Sequence, residues 1–259
     1  MQEMEVTTRN GSDEMKETTN NTIGFVFLHG AGLGAWIWDD LIKKIKYPSL
    51  PIDLPGRGKH ISIATEGLSL ENYVQSVLSD INQFGPKKLI IVAHSISGII
   101  GLEIVRLLQN RICGFIAISA SIPSANNSYI SSLPLFMSVF LRIMITLAGT
   151  RPPISAIRSG LCEDLNEEQT LEIVNRFVPE SKKLYTDKLN SQSVLANSMY
   201  IRLKKDKAFN ESIQNRMISN LNGKQIVDID SGHLPMFSKP DELAQILNTF
   251  AVEVNNSEQ

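Results

Sequence analysis

Cysteine is nearly missing from this chain: among 259 residues only Cys113 and Cys162 occur. Cys113 lies in an apolar, strand-like run and Cys162 in a helix-rich region, and neither has a spacing partner for a disulfide framework or a thiolate metal site. Free thiols in a reducing, cytoplasmic setting are expected. Histidine is also scarce, at four residues, and no Cys/His or carboxylate cluster occurs at ligand spacing, so no metal is expected. An excess of charge of one sign is absent too. Lys+Arg total 25 against 27 Asp+Glu, and the formal charge of -2 leaves no basic field to draw nucleic acid or anionic lipid. The expected partner is a small molecule. No apolar run is long enough to span a bilayer: the most apolar stretch, 133–147, is shorter than a span and carries Arg142. Met1 to about Asn21 is polar and has no apolar core, so it reads as a disordered tail and not as a signal peptide.

What is present is hydrophobic content, 42% of the chain, arranged as short apolar runs alternating with helical periodicity. A run from Thr22 to Leu28 ends at His29-Gly30-Ala31-Gly32-Leu33-Gly34, after which Trp36, Trp38, Leu41, Ile42 and Ile45 follow at helical spacing. A second short strand ends at Asp53 and enters a Pro/Gly turn, and a helix from Leu70 to Phe84 has Ser69 as its N-cap. Apolar runs at 88–93, 112–119, 198–203 and 224–229 complete the strands, and helices are expected at 209–221 and 240–254. Strands separated by helices imply a parallel sheet. Between about 122 and 192 the alternation stops and helices separated by prolines take over, one of them opened by Asn166 with Gln169 three residues on. The division expected is a tail at 1–21, an α/β core at 22–121, a helical cap at 122–192, more core at 193–254 and a tail at 255–259.

Ser95 sits where the run 88–93 gives way to helical spacing. A serine on a sharp strand-to-helix turn needs small residues two positions away on each side, and Ala93 and Ser97 fill those places. A serine hydroxyl is a weak nucleophile, so it needs a neutral imidazole to take its proton. His233, after the last strand, is placed for this. The imidazole in turn needs a carboxylate to fix its tautomer, and Asp206, after the next-to-last strand, is the candidate. Asp228 and Asp230 rank second, because they lie on the strand that leads to His233. The other place where this architecture can seat an acid, just after 112–119, holds only Ala120, Ser121, Ile122, Pro123 and Ser124. Backbone N–H groups of Ile96 and Ala31 are candidates for stabilising an oxyanion. Gly30-x-Gly32-x-Gly34 does not complete a dinucleotide fingerprint. His29 and His94 read as structural, and His60 has no visible role.

The stretches His29–Trp38, Asp53-Leu54-Pro55-Gly56-Arg57-Gly58 and Gly232–Pro240 resemble the α/β-hydrolase superfamily, and within it the plant methylesterase and hydroxynitrile lyase group with its bacterial salicylate-esterase-like relatives. The resemblance implies an α/β-hydrolase fold of six parallel strands flanked by helices, a helical cap, and a cofactor-free serine site carried by Ser95, His233 and Asp206. Ala93 and Ser97 depart from the glycines more usual there but remain small. The lyases of the group resemble one another in a Thr after the loop His and a Lys after the catalytic His, where this chain has Gly30 and Leu234. Esterase is therefore favoured over lyase, and a ligand receptor with little turnover is a third reading. For the pocket, Leu135, Phe136, Val139 and Phe140 of the cap are expected to contact substrate together with Gly30 and Leu234. No arginine is placed to clamp a carboxylate: Arg142 lies on the cap helix, and Arg151 and Arg158 in irregular chain. A neutral, mostly apolar ester follows, its small alcohol suggested by the likeness. A homodimer is the one assembly left open.

Overall fold

The computed structural model describes residues 23–190, 197–223 and 225–257. The tail expected at 1–21 lies outside the described residues. Six strands form one sheet: β1 (Ile23–Leu28), β2 (Ser49–Ile52), β3 (Lys88–His94), β4 (Ile112–Ile118), β5 (Ser198–Leu203) and β6 (Gln225–Ile229). Their order is β2-β1-β3-β4-β5-β6, and every pairing is parallel. Parallel strands need long crossovers, and helices supply them. These are α1 (Asp39–Ile42), α2 (Leu70–Ile81) and α3 (Gly98–Leu107). The cap carries α4 (Tyr129–Ser132), α5 (Leu135–Ala148), α6 (Ile154–Leu161), α7 (Glu167–Arg176) and α8 (Lys182–Thr186). Then α9 (Glu211–Leu221) joins β5 to β6, and α10 (Pro235–Ser238) and α11 (Pro240–Ser257) close the chain.

Burial on both faces explains why the strands read as unbroken apolar runs. Along β3, Leu89, Ile91 and Ala93 pack under α2, α3 and α9, while Ile90 and Val92 point to the opposite core beneath α1 and α11. Two helix starts follow the sequence reading: Ser69 and Asn166 form capping boxes with Asn72 and Gln169. Several helix boundaries differ, and α2 ends at Ile81, short of the expected Phe84. Asn210, not Phe209, opens α9, because its side chain accepts the Ile213 N–H and leaves Phe209 free of the helix. At the other end α11 runs on to Ser257, beyond the core boundary expected at 254, with Val254 still buried.

The sheet order sets the place of any site. From β1 the chain goes to β2 on one side and then returns to place β3 on the other. Loops that leave β1 and β3 at their carboxyl ends therefore part at a topological switch point, where open α/β sheets bind ligands. The glycine loop after His29 and the turn at Ser95 are those two loops.

Candidate active site

Ser95 is held at φ +57, in the left-handed region that non-glycine residues rarely enter. Such a conformation costs about 1–3 kcal/mol and persists only where the surroundings impose it. Here they do: the Ser95 carbonyl accepts the Ser121 N–H at 2.8 Å. Ser97 is fully buried and donates its hydroxyl to the His29 carbonyl, so this small residue also ties the turn to the end of β1. Gly30 packs against the turn so closely that a Cβ there would stand 2.9 Å from both His94 Nδ1 and Ser95 Cβ.

Asp206 and His233 meet. His233 Nδ1 donates to Asp206 Oδ2 at 2.7 Å, and both side chains are buried. The same oxygen accepts the Ser119 hydroxyl at 2.6 Å, and Oδ1 accepts the Phe209 N–H at 2.8 Å. Burial by itself raises the Asp206 carboxyl, but the facing His233 ring and these hydrogen bonds outweigh it and hold the group below the usual carboxylate range. The loops that carry the two residues are joined by backbone bonds from Lys204 N–H to Ile229 O and from Lys205 N–H to Ser231 O, both 3.0 Å. Ser119 is the contributor that sequence reasoning missed. It sits after β4 where no acid was found, at φ +38, and supplies a donor in place of a carboxylate. The rival acids lie elsewhere: Asp228 pairs with Arg202 at 2.8 Å and Asp230 with Lys205 at 2.7 Å. The turn before His233 is also less free than its glycine suggests, because Asp164 of the cap accepts the Gly232 N–H at 2.6 Å.

His29 and His94 have the structural roles expected of them. The His29 Nε2 accepts the Leu54 N–H at 3.2 Å, so Nδ1 carries the proton and donates to Gly30 O at 2.8 Å. Burial, then the charge of Arg57, keep its pKa well below the ordinary value. His94 Nε2 donates to the His233 carbonyl at 2.9 Å. Burial first, and then the His233 ring, push the His94 pKa from 6.5 to about 3. His60, without a visible role in the sequence, bonds Asp80 at 3.0 Å.

The glycine loop is positioned by the cap. Gly32 N–H donates to Glu180 Oε1 at 3.1 Å, and its carbonyl accepts the Val178 N–H at 3.0 Å. Its φ is +81, and a Cβ there would stand 2.1 Å from the Phe177 ring, so only glycine allows this approach. Glu180 is itself buried and held by Arg57 Nη1 at 2.6 Å and by the Tyr73 hydroxyl, 3.0 Å from Oε2. Arg57 Nη1 also donates to Leu33 O at 2.6 Å. Nothing local in the sequence marks Glu180, since the partners of its carboxylate, Gly32, Arg57 and Tyr73, lie more than 100 residues away in the chain.

Above the loops lies a cavity of about 780 Å³. Gly30, Ala31, Ser95, Ile96 and His233 line its floor. Tyr129, Tyr185 and Phe209 form an aromatic wall, with Tyr129 edge-on to Tyr185 at 5.5 Å and stacked on Phe209 at 6.0 Å. The cap contributes Phe140, Met144, Ile145, Ile157 and Phe177. Of the expected substrate contacts, Gly30 and Phe140 line this cavity. Leu135, Phe136 and Val139 do not, because they lie on the outward face of α5, while Leu234 is fully buried in the core beneath the sheet. Arg151 lies in irregular chain as expected and reaches the cavity, whereas Arg158, expected in irregular chain, lies on α6 and pairs with Glu167 at 2.7 Å. The Arg151 Nη1 and Nη2 are engaged by the carbonyls of Phe177 and Val174 at 3.2 and 3.3 Å. Among the described residues no group of three or more His, Cys, Asp or Glu is placed to hold a metal, and no helix is long and apolar enough to cross a membrane.

Residues 25–246 match the alpha/beta hydrolase family, and the chain belongs to it. It is 26% identical over 254 residues to "Methylesterase 10" of Arabidopsis thaliana, which covers 89% of this chain and 92% of that protein. Among solved structures, an extracellular alpha/beta-hydrolase from a Paenibacillus species, described as sharing homology with tobacco salicylic acid binding protein 2, superposes with a TM-score of 0.78 at 18% identity, covering 88% of this chain and 98% of that one. The methylesterase MES16 from Arabidopsis gives 0.72 at 23% identity, with 89% and 99% covered. The resemblance to the plant methylesterase group and the expected fold are both borne out.

Two outcomes follow from the buried groups. Between pH 6.5 and about 3 the unfolded chain binds a proton at His94 that the folded chain refuses, so stability rises with pH across that window. Urea midpoints are expected to fall as pH drops through it, with a shallower slope in His94→Asn. Removing one member of a buried ion pair strands the other, so Glu180→Ala is expected to cost about 3–5 kcal/mol in urea unfolding.

Proposed function

We propose that this protein is a carboxylesterase that works through an acyl-enzyme on Ser95. The observation that carries the reading is the 2.7 Å contact between His233 Nδ1 and Asp206 Oδ2 beside a serine turn that opens on the cavity. Asp206 keeps the proton on Nδ1, which leaves Nε2 as the base. Ser95 Oγ attacks the ester carbonyl as its proton passes to Nε2, and the oxyanion that forms is met by the N–H groups of Ile96 and Ala31. Such donors are worth roughly 3 kcal/mol each. The tetrahedral intermediate collapses by breaking the bond to the alcohol, which leaves with the proton from Nε2. Water then adds to the acyl group, giving its proton to the same nitrogen, and the acid departs as Ser95 regains its hydrogen.

A lyase is disfavoured by two positions. At Gly30 any side chain would meet His94 and Ser95, so the Thr of the lyases has no room, and Leu234 is buried away from the cavity. The substrate class follows from the lining. A cavity of about 780 Å³ is at the upper part of the usual range for small-molecule sites, and apolar and aromatic side chains make up most of its wall. Arg151, the one arginine that lines it among the described residues, already has both terminal nitrogens on carbonyls. A neutral ester with a sizeable apolar acyl part fits, and a methyl or similarly small alcohol is suggested by relatives named methylesterases.

Purified protein is expected to release p-nitrophenol from short acyl esters and to be labelled by a fluorophosphonate. Both signals should vanish in Ser95→Ala, and Asp206→Asn should lose kcat by about 10⁴. Labelling that persists in Ser95→Ala would defeat the reading. Across a series of acyl esters, kcat/KM is expected to rise by roughly 1 kcal/mol per methylene until the cavity is full. A preference for anionic esters over neutral ones would refute the apolar pocket.

A further inference from the structure

On α5, Leu135, Phe136, Val139, Phe140, Ile143 and Leu147 leave between 50% and 82% of their surfaces in solvent. Residues 136, 140, 143 and 147 recur at helical spacing with 135 and 139 beside them, so they form one face. The opposite face holds Ser138 and Ile145, which are buried. Surface helices of globular proteins normally turn their polar side outward. This helix exposes its apolar side, and contiguous patches of that kind mark interaction surfaces.

Two further observations say what the surface meets. The first is continuity. Phe140 belongs both to the exposed face and to the cavity lining, and exposed Ile154 at the start of α6 does the same. The apolar surface therefore runs unbroken from the outside of the cap into the chamber over Ser95. The second is charge. From Glu103 to Glu163 the chain contains no other Asp or Glu, while Arg142 and Arg151 within that stretch are exposed and form no ion pair among the described residues. Exposed Lys182 lies at the far end of α5, its Nζ 3.3 Å from Thr146 O.

We propose that this face of the cap docks the enzyme on an anionic lipid surface, from which an apolar ester passes into the cavity without crossing water. Apolar side chains flanked by cations are the composition of helices that lie in the bilayer interface. The formal charge of -2 gives no long-range pull, but attraction to anionic lipid acts within about a Debye length, where the local sign decides. A second copy is a poorer occupant. A two-fold pairing of this face would bring together the Arg142 and Arg151 of both copies on a segment that itself supplies no Asp or Glu, and it would cover the cavity mouth. The inference rests on the esterase reading only for what enters the cavity, since docking requires no turnover.

The test is co-sedimentation of the full chain with vesicles of phosphatidylcholine alone and of phosphatidylcholine mixed with phosphatidylglycerol. Binding to the mixed vesicles is expected, weaker binding to the neutral ones, and a loss of about tenfold in Phe136→Asp/Leu147→Asp and in Arg142→Glu. Circular dichroism and hydrolysis of a water-soluble short ester should be unchanged in those variants, with Phe136→Ser as a milder substitution should the pair fail to fold. Absence of binding to either vesicle, binding unaffected by the substitutions, or a concentration-dependent dimer that the same substitutions dissolve would each overturn the proposal. Ser95→Ala separates the two readings: it should still sediment with vesicles, and a chain that sediments but hydrolyses no ester would defeat the esterase reading alone.

Discussion

The Arg57–Glu180 ion pair is the contact through which the cap, the glycine loop and the core reach one another. Glu180 comes from the cap, Arg57 from the turn after β2, and the carboxylate they share also accepts from Gly32 and Tyr73. Taking two charges out of water is costly, and their attraction alone does not guarantee net stability. Position is what the pair secures. Among the described residues Arg57 Nε and Nη2 are buried without a hydrogen-bond partner, so the guanidinium depends there on this one carboxylate and on Leu33 O. A cap displaced by even a small distance would leave both charges uncompensated, and the Gly32 peptide next to Ala31 would lose its acceptor. The loop beside Ser95 is thus held by a segment that follows it by nearly 150 residues.

Asp206 shows the same economy on the other side of the cavity. Its two oxygens collect a ring N–H, a hydroxyl and a backbone N–H, which keeps a buried carboxylate ionised next to the His233 ring. Asn210 caps α9 in place of Phe209, and that one-residue difference leaves the Phe209 N–H free to bond Asp206 and its ring free to join the aromatic wall. Backbone bonds between the loops after β5 and β6 then keep Asp206 and His233 in register.

The cap combines two kinds of apolar surface that composition cannot separate. On α5 the inward positions complete the roof of the cavity, while the outward ones stay in solvent, and both kinds are Leu, Ile, Val, Phe and Met. Sequence periodicity finds the helix but not its rotation about its own axis when nearly every side is apolar. Whole-chain charge hides a second asymmetry, because the segment between Glu103 and Glu163 carries arginines but no Asp or Glu.

Much of the protein was legible from local pattern. Unbroken apolar runs marked buried parallel strands, Ser69 and Asn166 marked helix starts, and the small residues around Ser95 marked a turn, because each of these signals is a property of a few neighbouring residues. The order of Ser95, Asp206 and His233 along the strands was enough to pair the last two in expectation. The long-range partners were decided by tertiary structure alone: Ser119 on Asp206, Glu180 on Gly32, Asp164 on Gly232, and which face of α5 meets the cavity. Hydrogen bonds across 68 to 148 positions leave no periodic trace in the chain, since the acceptor gains its meaning only once the sheet order has brought its donor beside it.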